Sequence, residues 1–167
     1  MNRENGSVQV KSLAKSFKNA FKGVLYCIKN ERNMRIHLTV TFYVLIFSPF
    51  YHFSQSEMMI LLLAIGMVLF AEAVNTAIEA IVNLQIQCYD HLARIAKDVA
   101  AGAVLICAVF SAAVGIILFF RTAVLINIFN CLVTNWILLL LFVLSLPVSV
   151  AFIFGIKPQN PTLNFKK

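Results

Sequence analysis

The chain has 167 residues, of which 60% are hydrophobic and 13% are charged, and its mean hydropathy is +0.85. This composition excludes a soluble globular domain and predicts a small, all-α integral membrane protein, because helices satisfy their own backbone polar groups inside a bilayer. The formal net charge of +7 comes from basic residues that border apolar segments, so nucleic acid is a poor explanation for it.

The first predicted element is an amphipathic helix within an N-terminal region of residues 1–36. Apolar residues recur there at helical spacing and lysines occupy the other positions: Leu13, Phe17, Ala20, Phe21, Val24, Leu25 and Ile28 against Lys11, Lys15, Lys18, Lys22 and Lys29. The pattern predicts a helix that lies in the cytoplasmic membrane interface. A simple anchor satisfies this pattern, and a second role, in which the basic helix closes over a site and gathers anionic phosphates, stays open.

Four apolar segments follow and predict four membrane spans, because a span needs about 20 predominantly apolar residues. The predicted spans are residues 37–53, 58–84, 99–120 and 136–156. Residues 122–133 are also apolar but carry Asn127 and Asn130, which favours an interfacial connector over a fifth span. The predicted organisation is an N-terminal region, a three-span core (37–120), a connector with an extra fourth span (121–156) and a polar tail (157–167).

The distribution of basic residues predicts the orientation of the chain. Eight Lys or Arg residues precede the first span and two lie between spans two and three, whereas the other two connections carry only Arg121. By the positive-inside rule, both termini and the middle loop face the cytoplasm.

Two carboxylates stand within the second span, at Glu72 and Glu79. An ionisable side chain at the bilayer centre costs about 2.5–3.5 kcal/mol, so such residues face protein, water or an ion pathway and not lipid. Glu72, Asn75 and Glu79 are spaced i, i+3 and i+7, which places them on one face of a helix. This face is the predicted functional site.

Further ionisable residues lie toward the cytoplasmic half of the chain: Glu31 before the first span, and Lys97 and Asp98 at the start of the third. Mg²⁺ is commonly held by one or two carboxylates together with substrate phosphates. A further carboxylate at the membrane boundary fits a general base for a lipid hydroxyl, and lysines balance the charge of a polyphosphate. The set therefore fits phosphoryl transfer, where catalysis is mostly positioning and electrostatics.

Two other functions stay open on spacing alone. A small ion- or proton-conducting subunit would line its pathway with intramembrane acids. A structural role would pair Glu79 with a lysine on another helix. The chain has neither a Walker sequence nor a protein-kinase signature, so a nucleotide site here would be unrelated to those folds.

Two strings of residues, 72–82 and 96–105, resemble the small prokaryotic diacylglycerol kinase family, and more nearly its undecaprenol kinase branch. Residues 16–23 and 31–37 are similar to N-terminal motifs of that branch, and the resemblance covers residues 11–120. It implies a homotrimer of membrane subunits in the bacterial plasma membrane. Such a trimer transfers the γ-phosphate of ATP to a membrane lipid alcohol at sites shared between subunits. Undecaprenol is the expected acceptor, with diacylglycerol as the alternative.

The same resemblance implies roles for seven side chains. Glu72 matches the general base of the family, and Asn75 matches the active-site Asn beside it. Glu31 and Glu79 match the carboxylates that hold Mg²⁺ with ATP. The remaining three match residues that contact the nucleotide or lie on a basic position of the N-terminal helix: Lys97, Asp98 and Lys22.

The chain departs from the family pattern at several positions. Ser12 stands where an Arg is usual and Asn19 replaces a frequent Tyr. Asn83 replaces an Asp, which removes one charge from the functional face. In the following loop, a Glu and a His are replaced by Cys88 and Asp90. Nucleotide affinity is the property these changes affect, and the region after Arg121 lies outside the family pattern.

Overall fold

The computed structural model describes residues 4–85 and 91–156, and the side chains of residues 13–84 and 91–156. The described part of the chain consists of helices joined by short connections and contains no strand, which confirms the all-α prediction. The predicted tail and the loop positions Cys88 and Asp90 lie outside the described residues, as does the side chain of Ser12. The α-helices in chain order are α1 (Glu4–Asn30), α2 (Arg32–Phe47), α3 (Gln55–Gln85), α4 (His91–Phe119), α5 (Thr122–Thr134) and α6 (Trp136–Gly155).

Three of the described helices are long and apolar enough to cross a membrane: α3, α4 and α6. They coincide with the predicted second, third and fourth spans. The predicted first span is built differently, because α2 has 16 residues and is followed by a 3₁₀ turn, Ser48–Tyr51. At about 1.5 Å per residue α2 alone is near 24 Å long, short of the roughly 30 Å hydrocarbon core. Residues 122–133 lie in α5, an apolar helix of 13 residues that is also too short to span.

The end of α2 follows from the local sequence. Pro49 has no backbone N–H and stands at the start of the 3₁₀ turn, so it cannot continue the α-helical hydrogen bonds. His52 then adopts a left-handed conformation with φ of 46°, and the chain turns into α3. The other end of α2 lies at Arg32, five residues before the predicted start of the span.

A single residue separates α1 from α2. Glu31 has extended backbone angles (φ −103°, ψ 119°), and its N–H donates to the carbonyl oxygen of Cys27 at 2.8 Å. Immediately before the break, the Asn30 side chain donates to the carbonyl oxygen of Tyr26 at 2.9 Å, and this bond competes with helix propagation. The bend therefore places Glu31 at the junction of the N-terminal helix and the membrane core.

The core of the fold is the antiparallel pair of α3 and α4, which makes the most extensive contact between helices. Leu61 and Val68 of α3 are buried, as are Ala100 and Val104 of α4. Within the pair, the Ser111 hydroxyl donates to the carbonyl oxygen of Ala64 at 2.8 Å. This pairing gives α3 a fixed face toward α4, and Glu72 and Glu79 lie in the half of α3 that ends near Lys97 of α4.

The opposite end of the pair carries aromatic residues and one ion pair. Tyr51, Phe53 and Phe119 form a cluster in which the Tyr51 and Phe119 ring centroids are 4.6 Å apart. Arg121, just before α5, lies over the Phe53 ring and pairs with Glu57 at the start of α3. Of these aromatic residues, Tyr is a type enriched at membrane–water interfaces. This end of the molecule is therefore remote from the residues predicted to act on ATP.

The C-terminal helix α6 packs against α2. The Tyr43 hydroxyl lies 2.9 Å from the hydroxyls of both Ser145 and Ser149. Phe142 packs edge-on against Tyr43 and Phe47, with centroid distances of 6.2 Å and 5.9 Å. These contacts hold a helix from outside the region of family resemblance against the N-terminal end of the core.

Replacing Tyr43 with Phe is expected to loosen this contact without altering the ring packing. An intramolecular hydrogen bond contributes about 0.5–1.5 kcal/mol, and those between membrane helices average near 0.6 kcal/mol. A loss of about 1 kcal/mol in unfolding free energy should be visible in thermal denaturation in lipid nanodiscs. In the Tyr43→Phe background, the further change Ser145→Ala with Ser149→Ala should have little added effect. Equal stability of Tyr43→Phe and the parent would contradict the assigned contact.

Candidate active site

Glu72 is the most deeply buried side chain in the described part of the chain, with 0% of its surface exposed. Neither of its carboxylate oxygens has a hydrogen-bond partner among the described residues. The neighbouring Thr76 hydroxyl donates to the Glu72 backbone carbonyl, at 2.9 Å, and leaves the carboxylate free. Burying a carboxylate without a partner is costly, so we expect a group outside the described residues of this chain to reach it.

Asn75 and Glu79 lie on the same face of α3 as Glu72. The Asn75 amide nitrogen donates to Oε1 of Glu79 at 3.2 Å, while its own carbonyl oxygen is buried and has no partner among the described residues. The amide therefore orients the Glu79 carboxylate and leaves one buried acceptor without a partner among the described residues. The structure thus brings together the three residues whose spacing singled them out.

Glu31 approaches this face from the α1–α2 junction. Burial raises the pKa of the Glu31 carboxyl above its usual range, and the negative charge of Glu79 raises it further. The cations of Arg35 and Lys97 act in the opposite direction on the same carboxyl. Glu31 and Glu79, far apart in sequence, thus lie close enough to interact electrostatically, and a cation bound between them would relieve their repulsion.

The two consecutive residues Lys97 and Asp98 point in different directions. The Lys97 ammonium donates to the Asn83 side-chain oxygen on α3, at 3.3 Å, and so lies at the acidic end of the helix pair. Asp98 instead pairs with Arg94 one turn earlier on α4, at 3.9 Å, and both side chains are largely exposed. Lys22 is exposed on α1. Among the described residues, neither Asp98 nor Lys22 forms an ion pair with Glu31, Glu72 or Glu79.

The donor set fits a magnesium ion that is shared with phosphates. No group of three or more His, Cys, Asp or Glu residues in the described ranges is arranged to hold a metal by itself. Mg²⁺ usually keeps several waters and is bound through one or two carboxylates plus substrate phosphates, so it does not need such a group. Glu31 and Glu79 supply two carboxylates of the kind required.

An apolar cleft of about 610 Å³ lies between α1, α2 and α3. Thr76, whose hydroxyl bonds to the Glu72 carbonyl, is one of the few polar residues along it. The cleft therefore runs beside the helix turn that carries Glu72. Its other lining residues are Ala20, Gly23, Val24, Tyr26, Cys27, Ile28, Met34, Leu38, Leu69, Phe70, Ala73, Ala77 and Ala80.

Two residues near the site were missed by the sequence reasoning. Asn83 was interpreted only as the loss of a charge, yet its side chain keeps an acceptor in place for Lys97. Arg35 was interpreted as a basic flank of the first span, but it is buried and donates to backbone carbonyls. The sequence did contain a signal for Arg35: in the string Glu31-Arg-Asn-Met-Arg35 it lies one helical turn from Glu31, which places it near the predicted site.

The sequence pattern of the prokaryotic diacylglycerol kinase family matches residues 18–119, which is more than half of the chain. The chain is similar to the diacylglycerol kinase of Synechocystis sp., with 38% identity over 114 residues. That match covers 68% of this chain and 65% of the Synechocystis protein, slightly less than two thirds of the relative's length.

A second relative is the undecaprenol kinase of Bacillus subtilis, which is 40% identical over 105 residues. This match covers 63% of the chain and 85% of the Bacillus protein, so most of that relative is represented here. No solved structure matches the chain. The matched region contains α2 to α4 and excludes α5 and α6.

Proposed function

Since this chain belongs to the prokaryotic diacylglycerol kinase family, we propose that it transfers the γ-phosphate of ATP to the hydroxyl of a membrane lipid alcohol. The family agrees with the resemblance seen in the sequence, and the three span-length helices fit an integral membrane lipid kinase. The observation that carries the proposal is Glu72, a buried carboxylate without a protein partner among the described residues, beside an apolar cleft.

In the proposed reaction, Glu72 accepts the proton of the lipid hydroxyl as its oxygen attacks the γ-phosphorus. The bond to the bridging oxygen of ATP breaks, and ADP and a lipid phosphate are formed. A positioned general base contributes about 10²–10⁴-fold to such a step. Asn75 holds the Glu79 carboxylate in place through its amide N–H, and its own buried amide oxygen is available as an acceptor.

The nucleotide side of the proposed site is formed by Glu31 and Glu79. These carboxylates would hold Mg²⁺ together with phosphate oxygens of ATP, and the bound ion would neutralise charge on the transferring group. Lys97 adds positive charge at the same end of the α3–α4 pair. Asp98 and Lys22, both exposed, stay proposed as contacts of the nucleotide.

Undecaprenol is the proposed acceptor, with diacylglycerol as the alternative. The Bacillus undecaprenol kinase is matched over 85% of its length, whereas the Synechocystis diacylglycerol kinase is matched over 65%. The apolar cleft offers room for part of an acyl or prenyl chain beside Glu72, and this feature does not distinguish the two lipids. The preference for undecaprenol therefore rests on the relatives.

The direct experiment offers undecaprenol and diacylglycerol side by side to purified protein with γ-labelled ATP and Mg²⁺. Label in undecaprenyl phosphate, lost in Glu72→Gln, is the expected result. Label in phosphatidic acid alone would keep the mechanism and change the substrate. If folded protein labels neither lipid yet conducts protons in vesicles without ATP, the intramembrane acids serve a conduction pathway instead.

We also propose a trimeric assembly in the bacterial plasma membrane, with both termini in the cytoplasm. The trimer and the orientation come from the family resemblance and from the positive-inside rule. Extensive apolar surface on α4 and α6 is exposed and available to lipid or to neighbouring subunits. Mass measurement of the protein in lipid nanodiscs and labelling of cysteines placed near each terminus test these two points separately.

Asn83→Ala is expected to weaken ATP binding and leave the chemical step intact. The Asn83 oxygen holds the Lys97 ammonium near the acidic end, and an exposed bond of this kind contributes roughly 0.5–1 kcal/mol. The KM for Mg-ATP should therefore rise about two- to fivefold, with kcat little changed. Asn83→Asp, which keeps the acceptor and adds a charge, should retain or lower the KM. An unchanged KM in Asn83→Ala would show that this contact does not serve the nucleotide.

A further inference from the structure

Arg35 is a buried cation that joins the ends of two helices. Only 3% of its surface is exposed. Its Nη1 donates to the carbonyl oxygens of Ile28 and Lys29 at 3.0 and 3.1 Å, both in the last turn of α1. Its Nε and Nη2 donate to the carbonyl oxygens of Ile153 and Ile156 at 3.0 and 3.4 Å, at the end of α6.

The position of the Arg35 guanidinium stabilises the C-terminal ends of both α1 and α6. The last carbonyl groups of a helix have no partner within the helix, and a cation at this end is favoured by the helix dipole. The guanidinium has five N–H donors in a planar fork, so it can serve two helix ends at once. Among the side chains described, those of residues 13–84 and 91–156, no carboxylate forms an ion pair with Arg35, and backbone oxygens are its partners. The burial of Arg35 thus depends on the presence of α6.

Arg35 also lies one turn from Glu31. Its backbone N–H donates to the Glu31 carbonyl oxygen at 3.4 Å, in the first turn of α2. Its side-chain bonds to Ile28 and Lys29 fix the last turn of α1, on the other side of the break that Glu31 occupies. The two sets of contacts hold both flanks of the Glu31 residue.

The docking of α6 is specific over much of its length. Ser145 and Ser149 bond to Tyr43 in mid-helix, and the Arg32 guanidinium lies 6.0 Å from the Phe154 ring near the end. Because the family pattern ends at residue 119, α6 is an addition to the matched region of this chain. Its contact with the junction carrying Glu31 is therefore a feature that family membership does not supply.

We propose that Arg35 is a positioning residue through which α6 holds the Glu31 carboxylate in place for Mg-ATP. The proposal rests on the role of Glu31 given under the proposed function. Without the Arg35 contacts the α1–α2 junction would sample more orientations, and nucleotide binding would have to order it at a cost in affinity. The consequence is a coupling between a C-terminal helix and the nucleotide side of the reaction.

The kinetic test uses the full chain. Arg35→Lys keeps the positive charge but replaces the planar fork with a point charge, and it should raise the KM for Mg-ATP about tenfold with kcat retained within about twofold. Ser145→Ala with Ser149→Ala should raise the same KM severalfold in the parent and have no further effect in Arg35→Lys. Arg121→Lys, the same change at the end of the molecule remote from the nucleotide, is the matched control and should leave this KM unchanged. Additive effects of the Ser and Arg changes would overturn the coupling.

A second measurement does not depend on activity. Spin labels at Asn33→Cys and Val150→Cys, on α2 and α6, report the distance between the helices. They are placed in a chain in which the native cysteines are replaced by Ala: Cys27, Cys88, Cys107 and Cys131. Labelled protein is diluted with unlabelled protein so that distances within one chain are measured.

The parent should give one narrow distance distribution, and both Arg35→Lys and the double Ser variant should give broad ones. A distribution that stays narrow in Arg35→Lys would overturn the proposal. Should Arg35→Lys fail to fold, the double Ser variant, which keeps Arg35, tests the same coupling, and a narrow distribution with an unchanged KM there would overturn it. If the parent phosphorylates no lipid, the proposed function fails, while the spin-label result still decides whether Arg35 joins α6 to the junction.

Discussion

Glu72→Gln is expected to lower the rate of lipid phosphorylation by about 10²–10⁴-fold, the range that a positioned general base contributes. The amide has nearly the shape of the carboxylate but cannot accept the proton of the hydroxyl. Binding of Mg-ATP should change little, since the proposed metal ligands Glu31 and Glu79 are retained. The loss should therefore appear in kcat, measured with saturating lipid and nucleotide.

The same change should not reduce stability. The parent carries a buried carboxylate whose two oxygens have no partner among the described residues, so removing its charge relieves a desolvation cost. The melting temperature of Glu72→Gln should equal or exceed that of the parent. Glu57→Gln is the matched control, because Glu57 lies on the same helix at the far end and pairs with Arg121. It should keep full activity, and near-normal turnover in Glu72→Gln would refute the assigned role.

Glu31→Gln and Glu79→Gln are expected to raise the Mg²⁺ concentration needed for half-maximal activity by at least about ten- to hundredfold. That range is typical for the loss of groups that only support a metal ligand, and a direct ligand should cost no less. Part of the lost activity should return at high Mg²⁺, because one carboxylate and the ATP phosphates remain. This recovery distinguishes Glu31 and Glu79 from Glu72, because added Mg²⁺ should not restore the activity of Glu72→Gln.

Thermal denaturation provides an independent check on this pair. Burial and, after it, the negative charge of Glu79 raise the pKa of Glu31, so the two carboxylates are expected to repel each other when no cation lies between them. Each single Gln change should therefore leave the protein without Mg-ATP as stable as the parent or more so. The stabilisation produced by adding Mg-ATP should be smaller than in the parent. A Mg²⁺ dependence and a ligand-induced shift identical to those of the parent would exclude the pair as metal ligands.

Local features of this protein could be predicted from its sequence. The face formed by Glu72, Asn75 and Glu79 follows from helical spacing alone, and the hydrogen bond between Asn75 and Glu79 is an i, i+4 contact. The length and apolarity of α3, α4 and α6 could also be predicted, because a helix that crosses a bilayer must be apolar over most of its length.

Features that depend on packing between distant segments could not be predicted in this way. The start of α2 at Arg32 places Arg35 within a helix and away from water, and this burial requires carbonyl oxygens that lie more than a hundred residues later. The approach of Glu31 to Glu79 was inferred from resemblance, since spacing along the chain carries no information about it. The apolar cleft likewise exists only where α1, α2 and α3 meet.

The adjacent residues Lys97 and Asp98 belong to one sequence motif, but their side chains do not have the same partners. Consecutive residues on a helix point about 100° apart, so the two side chains cannot both face α3. Lys97 meets Asn83 across the helix pair, while Asp98 turns to Arg94 on its own helix. The string itself was recognised from the sequence, but the direction of each side chain needed the helix packing.

Because Glu31 alone separates α1 from α2, it is the hinge between the two helices as well as a proposed Mg²⁺ ligand. The backbone angles of this residue set the inclination of a helix proposed to rest on the membrane surface against a helix that enters the bilayer. A tilt of α1 on that surface would change the backbone angles at Glu31 and with them the position of its carboxylate. Because α1 also lines the apolar cleft, the same tilt would alter the nucleotide side and the lipid side of the proposed site together.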